Sequence, residues 1–178
     1  MLGIDADNGK LLFSHKQDTM GNVHSNAPIY DNGYLYYVAG DGNRAVKLKL
    51  SEDGESITEV WRCKSFDNIM GGVVQVDNRL IATGHRKQEL MSLNMESGLV
   101  TQQLKIGRGA TIFADGMIYL YDERGIVHLV DPNGTELKEV SNFKISKGTK
   151  EYFSHPVIAN STLYIRHGKS LLAYDIRQ

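Results

Sequence analysis

Short stretches of alternating apolar and polar residues, separated by polar turns, make up most of the chain. The stretches YLYYVAG, LIATG, MIYLYD and TLYIRHG are rich in β-branched and aromatic residues, and none keeps a helical period for three turns. Alternation over about four to eight residues between turn residues is typical of β-strands. The pattern therefore predicts an all-β protein with no helix longer than two turns.

Two series of turns recur along the chain with the same spacing. The first is a turn of Asn, Asp, Gly or Ser followed by a hydrophobic pair, at 32–36, 78–81, 115–119 and 160–164. The hydrophobic positions are 45, 38 and 45 residues apart, counted from Leu35 through Leu80, Ile118 and Leu163. The second series lies at 5–9, 51–54, 94–98 and 131–134. Two series with one period predict an internal repeat of about 40 to 50 residues.

Each repeat contains four strands, here called A to D. Strand A corresponds to APIY, GVVQV, ATIFA and HPVIA, strand B follows the first turn, strand C ends at the second turn, and strand D follows it. Four-stranded antiparallel units of this period predict a β-propeller, because one small twisted sheet buries both faces only when neighbours stack radially against it. A β-sandwich also has short strands, but it would not repeat two series of turns in step.

The repeats predict one propeller domain of about four blades. In chain order the blades are 1–20 (strands C and D), 21–66, 67–106, 107–150 and 151–178 (strands A to C). Residues 2–5 and residues 172–175 both match a strand C, so the chain starts and ends within a blade. We therefore expect a partial propeller, the C-terminal half of a ring of seven or eight blades.

The repeat resembles the pyrroloquinoline-quinone-like repeat of quinoprotein alcohol dehydrogenases and of the outer-membrane assembly lipoprotein that shares their fold. The residues that carry the resemblance are LGIDADNGKLLF at the start of the chain and SHPVIANSTLYIRHGKSLLAYDI at its end. The family pattern places a tryptophan near the end of strand D, where this chain has only Trp61, in EVWRCK, and Phe13 in a similar place. The resemblance implies a propeller in the periplasm or cell envelope.

The resemblance also implies an alternative function as a fragment of a quinone-dependent dehydrogenase. Such enzymes hold pyrroloquinoline quinone and calcium in the central channel with acidic and amide ligands, an aspartate base, a stacking tryptophan and adjacent cysteines. This chain has a single cysteine, Cys63, and its single tryptophan lies at a strand-D position that usually packs between blades. We therefore expect a non-catalytic binding or scaffold module without that cofactor.

Other motifs suggest chemistry that their spacing does not support. DADNG begins like a calcium loop, but Gly9 stands where the third oxygen ligand is needed, so we expect a turn in which Asp and Asn side chains bond the backbone. The pairs Ser14-His15 and Ser154-His155 are adjacent in strands, where neighbouring side chains point to opposite faces, and no hydrolase triad is expected. The histidines and the cysteine show no zinc-ligand spacing.

The mouth of the central channel holds the candidate ligand-binding residues. Strand A is the innermost strand of a blade, so residues just before it are those that a ligand in the channel would meet. Side chains with several hydrogen-bonding groups suit a polar partner or a small anion. The candidates are His24, Asn26, Arg108, Tyr152 and His155. The basic turn GHRKQE at 84–89 is expected to be a solvated turn on the rim.

Charge and composition limit the partners further. The formal net charge is −1, which favours neither a nucleic-acid backbone nor an anionic membrane. No apolar run approaches the about 18 residues of a membrane span, and the N-terminus lacks the pattern of a secretory signal. We expect a protein or a small polar ligand at the channel. Open blade edges also predict a homodimer, in which residues 9–16 of one copy complete the last blade of the other, with closure within one chain as the alternative.

Overall fold

Strands account for all the regular secondary structure in the computed structural model of this protein, which describes residues 1–16, 25–40 and 43–177. These ranges contain 17 β-strands and no helix. Within them, accordingly, no helix could cross a membrane. The prediction of an all-β protein is confirmed.

The strands form five antiparallel sheets, here named blades I to V. Blade I contains β1 (Leu2–Ile4) and β2 (Leu11–Ser14). Blade II contains β3 (Ile29–Asp31), β4 (Tyr34–Ala39), β5 (Arg44–Leu50) and β6 (Ile57–Cys63). Blade III contains β7 (Val74–Val76), β8 (Arg79–Thr83), β9 (Glu89–Asn94) and β10 (Val100–Lys105). Blade IV contains β11 (Gly109–Ala114), β12 (Met117–Asp122), β13 (Ile126–Asp131) and β14 (Lys138–Lys144). Blade V contains β15 (Val157–Ala159), β16 (Thr162–His167) and β17 (Ser170–Asp175).

The strands of each blade pair in chain order, as in a propeller blade. Blades II to IV have four strands, whereas blade V has three and blade I has two. The architecture is the predicted partial β-propeller.

Each pair of consecutive blades encloses a hydrophobic core of its own. Val46 and Leu48 lie in the core between blades I and II, and Phe66 and Met91 in the core between blades II and III. The other two cores contain Leu90, Leu120 and Val130 (blades III and IV), and Val127, Leu163 and Ile165 (blades IV and V). Each large apolar side chain buried in this way contributes about 1.5–3 kcal/mol. Stability is therefore spread over a row of seams.

The turns between strands A and B are tight hairpins of the type that the first turn series predicted. In blades II, IV and V both central residues have positive φ, for example 46° and 82° at Asn32 and Gly33, and 49° and 56° at Asn160 and Ser161, whereas in blade III Asp77 alone has it, at 50°. Positive φ at both positions defines a type I′ turn, whose twist matches that of the strands. These turns fix the register of strand B against strand A.

The DADNG segment forms the side-chain-capped turn expected from its sequence. The Oδ1 of Asp5 accepts a hydrogen bond from the backbone N–H of Asp7 at 2.8 Å, and the Oδ1 of Asn8 accepts one from the backbone N–H of Lys10 at 2.8 Å. Gly9 has a φ of 75°, which glycine adopts without steric cost.

Strand D of each blade that has one carries a bulge against strand C at the same point. In blade II the register shifts after Lys47, which pairs with Trp61. The corresponding pairs in the other blades are Gly3 with Phe13, Ser92 with Gln102, and Leu129 with Ser141. Phe13, Trp61, Gln102 and Ser141 are therefore equivalent positions of the repeat.

Strand direction decides which loops lie at the same end of the blades. Because the strands of a blade alternate in direction, the D–A connections and the B–C turns lie at one end of the blades, here called the upper face. The A–B and C–D turns lie at the opposite end, the lower face. The D–A connections span 64–73, 106–108 and 145–156.

Candidate functional site

A cavity of about 310 Å³, here called the upper cavity, opens on the upper face. Three of the predicted ligand-binding residues line it: Arg108, Tyr152 and His155. The rest of its lining includes residues 69–71, Ala110, Phe153 and the side chains of Thr83, His85 and Glu123. The cavity is thus built by the connections and turns of successive blades, which only the assembled arc brings together.

Arg108 is held in place by two neighbours in the B–C turns of blades III and IV. Its Nε donates a hydrogen bond to Oε2 of Glu123 at 2.6 Å, and its Nη1 lies 2.8 Å from Nδ1 of His85. Nη1 also donates to the main-chain carbonyl of His85 at 3.3 Å. These contacts orient the guanidinium, and the carboxylate of Glu123 balances its charge.

Two glycines on different blades allow the backbones to meet at the base of the upper cavity. A Cβ at Gly109 would lie 1.9 Å from the carbonyl oxygen of Tyr121, and one at Gly71 would lie 2.1 Å from the carbonyl oxygen of Gly109. In this close arrangement the Thr83 hydroxyl donates to the Gly109 carbonyl at 3.0 Å, and the backbone N–H of Thr111 donates to the Gly71 carbonyl at 2.7 Å. The base of the cavity is therefore fixed by main-chain contacts.

Aromatic packing fixes Tyr152 at the wall of the upper cavity. Its ring stacks on His167 with centroids 3.9 Å apart and meets the edge of Tyr121 at 5.9 Å. The two ring nitrogens of His167 each lie 2.8 Å from a main-chain carbonyl, those of Lys147 and Lys150. Burial raises the pKa of Tyr121 to about 12, so its phenol stays neutral beneath this stack.

The rim of the upper cavity combines a free imidazole with exposed apolar side chains. The His155 ring is exposed and makes no hydrogen bond to any part of the chain that the structure describes. Phe153 and Met70, on the same rim, are 65% and 49% exposed. A ligand would meet both a polar and an apolar surface here.

Asn26, another predicted residue, is not part of the lining of the upper cavity. Asn26 donates through Nδ2 to Oδ1 of Asn68 at 2.8 Å and to the Val38 carbonyl at 3.2 Å. The Asn68 side chain in turn donates to the Thr83 carbonyl at 2.8 Å. Asn26 therefore joins blade II to blade III. His24 lies outside the described residues.

His85 and Glu123 were not among the predicted site residues. The predicted site residues all precede strand A, and the 84–89 turn was expected to be solvated. The structure places His85 of that turn, and Glu123 of the next B–C turn, against Arg108. Because the strands of a blade alternate in direction, the B–C turns lie on the same face as the residues before strand A. This strand order is the signal in the sequence that could have pointed to His85 and Glu123.

A second group of charges lies further out on the same face, in blade IV. Asp122 is fully buried and accepts hydrogen bonds from the backbone N–H groups of Arg124 and Ile126 at 3.0 and 2.8 Å. The Nε2 of His128 lies 3.6 Å from Oδ2 of Asp122, and its Nδ1 lies 2.7 Å from Oε1 of Glu139. Burial opposes charge on both Asp122 and His128, but their contacts outweigh it, so the pKa of Asp122 is lowered and that of His128 is raised. The group fixes a turn and its strands.

The residues around the upper cavity do not fit pyrroloquinoline quinone with calcium. Glu123 is the one acidic residue among the described lining, and Arg108 already neutralises it. Trp61 is in a seam between blades, with its Nε1 donating to the Met95 carbonyl at 3.1 Å. In the described ranges no three His, Cys, Asp or Glu side chains are grouped to hold a metal ion.

Comparison with solved structures identifies the fold. BamB from Moraxella catarrhalis superposes with a TM-score of 0.69 at 12% identity, over 96% of this chain and 50% of that chain. The computationally designed Ika4 protein gives 0.59 at 9% identity, over 93% of this chain and 100% of that chain. A europium-containing methanol dehydrogenase gives 0.55 at 11% identity, over 75% of this chain and 27% of that chain.

Sequence comparison adds nothing to this result, because no protein family and no curated protein matches the chain. At the identities found, the structural likeness establishes the fold alone. The chain has the β-propeller fold that its repeat predicted. It spans about half the length of the BamB chain that it matches.

Proposed function

We propose that this protein is a non-catalytic binding module whose upper cavity receives a segment of a partner protein or a small polar ligand. One observation carries the proposal. Arg108, fixed by Glu123 and His85, and the free imidazole of His155 line a single cavity with the exposed side chains of Met70 and Phe153. Cavities with apolar walls and a few placed polar groups are the usual form of a binding site.

The contacts of the polar groups favour binding over catalysis. A general base needs a nucleophile or substrate proton within hydrogen-bond reach. The nearest hydroxyl in sequence to His155, that of Ser154, donates to the Arg166 carbonyl at 2.5 Å. The carboxylate of Glu123 is engaged by Arg108. The Ser154 hydroxyl and the Glu123 carboxylate are thus used in structural contacts, and the free imidazole of His155 has no hydroxyl partner among the described residues.

The free hydrogen-bonding groups define what a ligand must offer. The Nη2 of Arg108 makes no bond to the described residues, and neither does the ring of His155. A carbonyl or carboxylate oxygen of a ligand would accept from Arg108, while an apolar group would pack on Met70 and Phe153. An extended peptide supplies both kinds of group.

The location proposed for this binding module is the periplasm or cell envelope. The resemblance of the repeat implies that compartment, and the BamB-like fold is compatible with it. Fractionation of cells that express the full-length gene product, with detection by antibody, tests the location directly.

A selection of peptides tests the proposed site. A random dodecapeptide phage library is selected on the immobilised protein, and the affinity of an enriched peptide is measured by fluorescence anisotropy. Arg108→Ala and His155→Ala are expected to weaken binding at least about tenfold, the effect of losing one well-placed contact. Lys49→Ala, which removes a charge from the lower face, serves as the matched control. Equal affinity for all four proteins would contradict the proposed site.

The alternative function, a fragment of a quinone-dependent dehydrogenase, has a separate test. It draws on the fold likeness to the methanol dehydrogenase, whereas the lining of the upper cavity does not fit the cofactor. Isothermal titration with pyrroloquinoline quinone and calcium is expected to give no binding heat. A site of micromolar affinity would favour the enzyme instead.

A further inference from the structure

A second cavity on the upper face lies between blades III and IV and is here called the basic groove. Its volume is about 320 Å³. Three basic residues line it: Lys87 in the B–C turn of blade III, Lys105 at the end of β10, and Arg124 in the B–C turn of blade IV. Glu139 is the one acidic residue among its described lining. The groove therefore concentrates positive charge on a chain whose formal net charge is −1.

The acidic groups next to the basic groove have partners within the protein. Oε1 of Glu139 lies 2.7 Å from Nδ1 of His128 and accepts a hydrogen bond from Nδ2 of Asn142 at 2.8 Å. The contact with His128 lowers the pKa of Glu139. Asp122 is fully buried and accepts a hydrogen bond from Nε of Arg124 at 2.8 Å. These carboxylates are thus bound to His128 and Arg124 and not to the two lysines of the groove.

The basic side chains of the groove keep free hydrogen-bond donors. Lys87 and Lys105 are exposed and form no ion pair with any residue that the structure describes. Arg124 donates through Nη2 to the Ile106 carbonyl at 3.1 Å, which leaves its Nη1 without a partner in the described part of the chain. The Arg124 side chain is 62% exposed. The three cations are therefore available to anionic groups of a ligand.

Neighbouring residues of the chain line the upper cavity and the basic groove at two places. Arg108 lines the cavity, and Gly107 lines the groove. In the same way Glu123 lines the cavity, and Arg124 lines the groove. The 84–89 turn contributes to both linings. Consecutive Cα atoms are about 3.8 Å apart, so a partner chain that leaves the upper cavity reaches the groove within a few residues.

Starting from the binding function proposed above, on which this inference rests, we propose that the basic groove binds acidic side chains of the same partner segment that occupies the upper cavity. The partner is then an extended segment with carboxylates beside an apolar anchor. The apolar anchor packs on Met70 and Phe153. The carboxylates accept hydrogen bonds from the three basic residues of the groove.

The arrangement of the cations favours carboxylates of an extended peptide over a single phosphate group. Lys87, Lys105 and Arg124 belong to three separate segments of two blades. A phosphate group is bound best by several donors held in fixed positions, and of these three side chains only that of Arg124 is held by other described residues. Successive side chains of an extended peptide alternate between its two sides, so acidic residues at every second position meet the groove.

A dye-labelled hexaglutamate peptide tests the basic groove without a selected ligand. Fluorescence anisotropy at about 20 mM salt, where charges are weakly screened, is expected to show saturable binding to the wild type. Lys87→Glu combined with Lys105→Glu is expected to weaken this binding at least about tenfold, because two attractions become repulsions. The matched control is Lys49→Glu with Lys138→Glu, which changes the net charge equally on the lower face. It is expected to stay within about threefold of the wild type.

Three results of this measurement would overturn the proposal. The first is the absence of saturable binding to the wild type. The second is an equal loss in the two double variants, which would show that only the net charge of the protein matters. The third is tighter binding of a labelled six-nucleotide oligodeoxythymidine that the groove variant abolishes, which would assign the basic groove to a phosphate backbone.

A glutamate tail on a peptide from the phage selection separates this inference from the proposed function. Four glutamates are added at either end, and peptides with four glutamines are the controls. One glutamate tail is expected to tighten binding at least about fivefold over its glutamine counterpart, a gain that Lys87→Glu with Lys105→Glu removes. If neither tail tightens binding while Arg108→Ala still weakens it, the upper cavity stands and the shared partner segment is wrong. If Arg108→Ala has no effect, the proposed function is wrong, and the hexaglutamate titration alone decides the groove.

Discussion

The seam between blades II and III and the seam between blades III and IV use the same backbone position with different side chains. In the first seam Trp61 donates from Nε1 to the Met95 carbonyl at 3.1 Å and covers Gly98 of the next blade. Lys47 donates to the same carbonyl at 3.2 Å, with its ammonium 4.1 Å from the centroid of the Tyr34 ring. An aromatic cluster and one shared acceptor thus join these two blades.

In the second seam the equivalent residue is Gln102. Its Nε2 donates to the carbonyl of Gly134 at 3.1 Å, in the C–D turn that corresponds to the turn of Met95 in blade III. Arg79 adds a hydrogen bond to the Pro132 carbonyl at 2.7 Å and lies 3.3 Å from the Gln102 amide oxygen. In the second seam, polar side chains therefore make the contact to the next C–D turn that Trp61 makes in the first seam.

The difference shows which part of the repeat is constrained. The bulge places one side chain of strand D against the next C–D turn, and any side chain that donates to a carbonyl there joins the blades. A tryptophan adds apolar burial to this contact, which an amide does not. We therefore expect the first seam to depend on burial and the second on hydrogen bonds and charge.

Truncation of the two equivalent residues is the strongest test of that difference. Trp61→Ala is expected to lower the free energy of unfolding by about 3 kcal/mol, because it leaves a cavity over Gly98 and removes a hydrogen bond. Gln102→Ala removes hydrogen bonds at a partly exposed site and is expected to cost about 1 kcal/mol. Urea unfolding followed by circular dichroism measures both. Equal losses would mean that the aromatic ring adds no stability to the first seam.

Addition of a methyl group at the two facing turns sharpens the comparison. A Cβ at Gly98 would lie 2.7 Å from the Trp61 ring, and the φ of Gly98 is 71°, so Gly98→Ala is expected to cost about 2 kcal/mol. At Gly134 the nearest atom to a Cβ is 3.4 Å away, and Gly134→Ala is expected to be close to neutral. The cost of Gly98→Ala should fall in a Trp61→Ala background. If Gly98→Ala cost as much in the Trp61→Ala background, the cost would come from the backbone conformation of residue 98 and not from the Trp61 ring.

The pH dependence of stability should arise from Asp122 and His128 of blade IV, which forms the second seam with blade III. The pKa of His128 is raised above its ordinary value of 6.5, so its contribution is fully present below that value and is lost as pH rises through the raised pKa. The lowered pKa of Asp122 works in the opposite sense: its contribution is present above 3.8 and is lost as pH falls through the lowered pKa. Asp122 also binds Arg124, which donates to the Ile106 carbonyl next to blade III.

The corresponding experiment is urea unfolding of the wild type and of His128→Gln between pH 6 and 9. The loss of stability with rising pH should be smaller in His128→Gln, by less than about 1 kcal/mol because Glu139 is partly exposed. Trp61→Ala, in the first seam, should keep the slope of the wild type. If His128→Gln left the change of unfolding free energy with pH unaltered, His128 would not be a cause of the pH dependence.

Much of the fold was accessible from the sequence because turn residues report it directly. Asn32-Gly33 and Asp115-Gly116 are pairs of the kind that adopt positive φ at both residues, and the period of such turns predicted the blades. The equivalence of Trp61 with Gln102 was not accessible. It depends on a bulge, and neither the side-chain types nor the spacing of the strand marks where the register shifts.

The candidate site was accessible only in part. Arg108 and His155 were found because they precede an innermost strand. Asn26 also precedes one, yet its amide is used between blades, and a sequence does not show which polar side chains find partners inside the protein. His85 is separated from Arg108 by a whole strand pair, and their contact exists only after the blades stack.

Hydrogen exchange of the protein with a selected peptide tests the proposed binding at the upper cavity most directly. Amide exchange of the free protein is compared with that of the complex by mass spectrometry. The predicted result is protection at 69–71, 108–110 and 152–155, with no change at the C–D turns of the lower face. Protection confined to those lower turns, or to the edge strand Ser170–Asp175, would contradict the binding site.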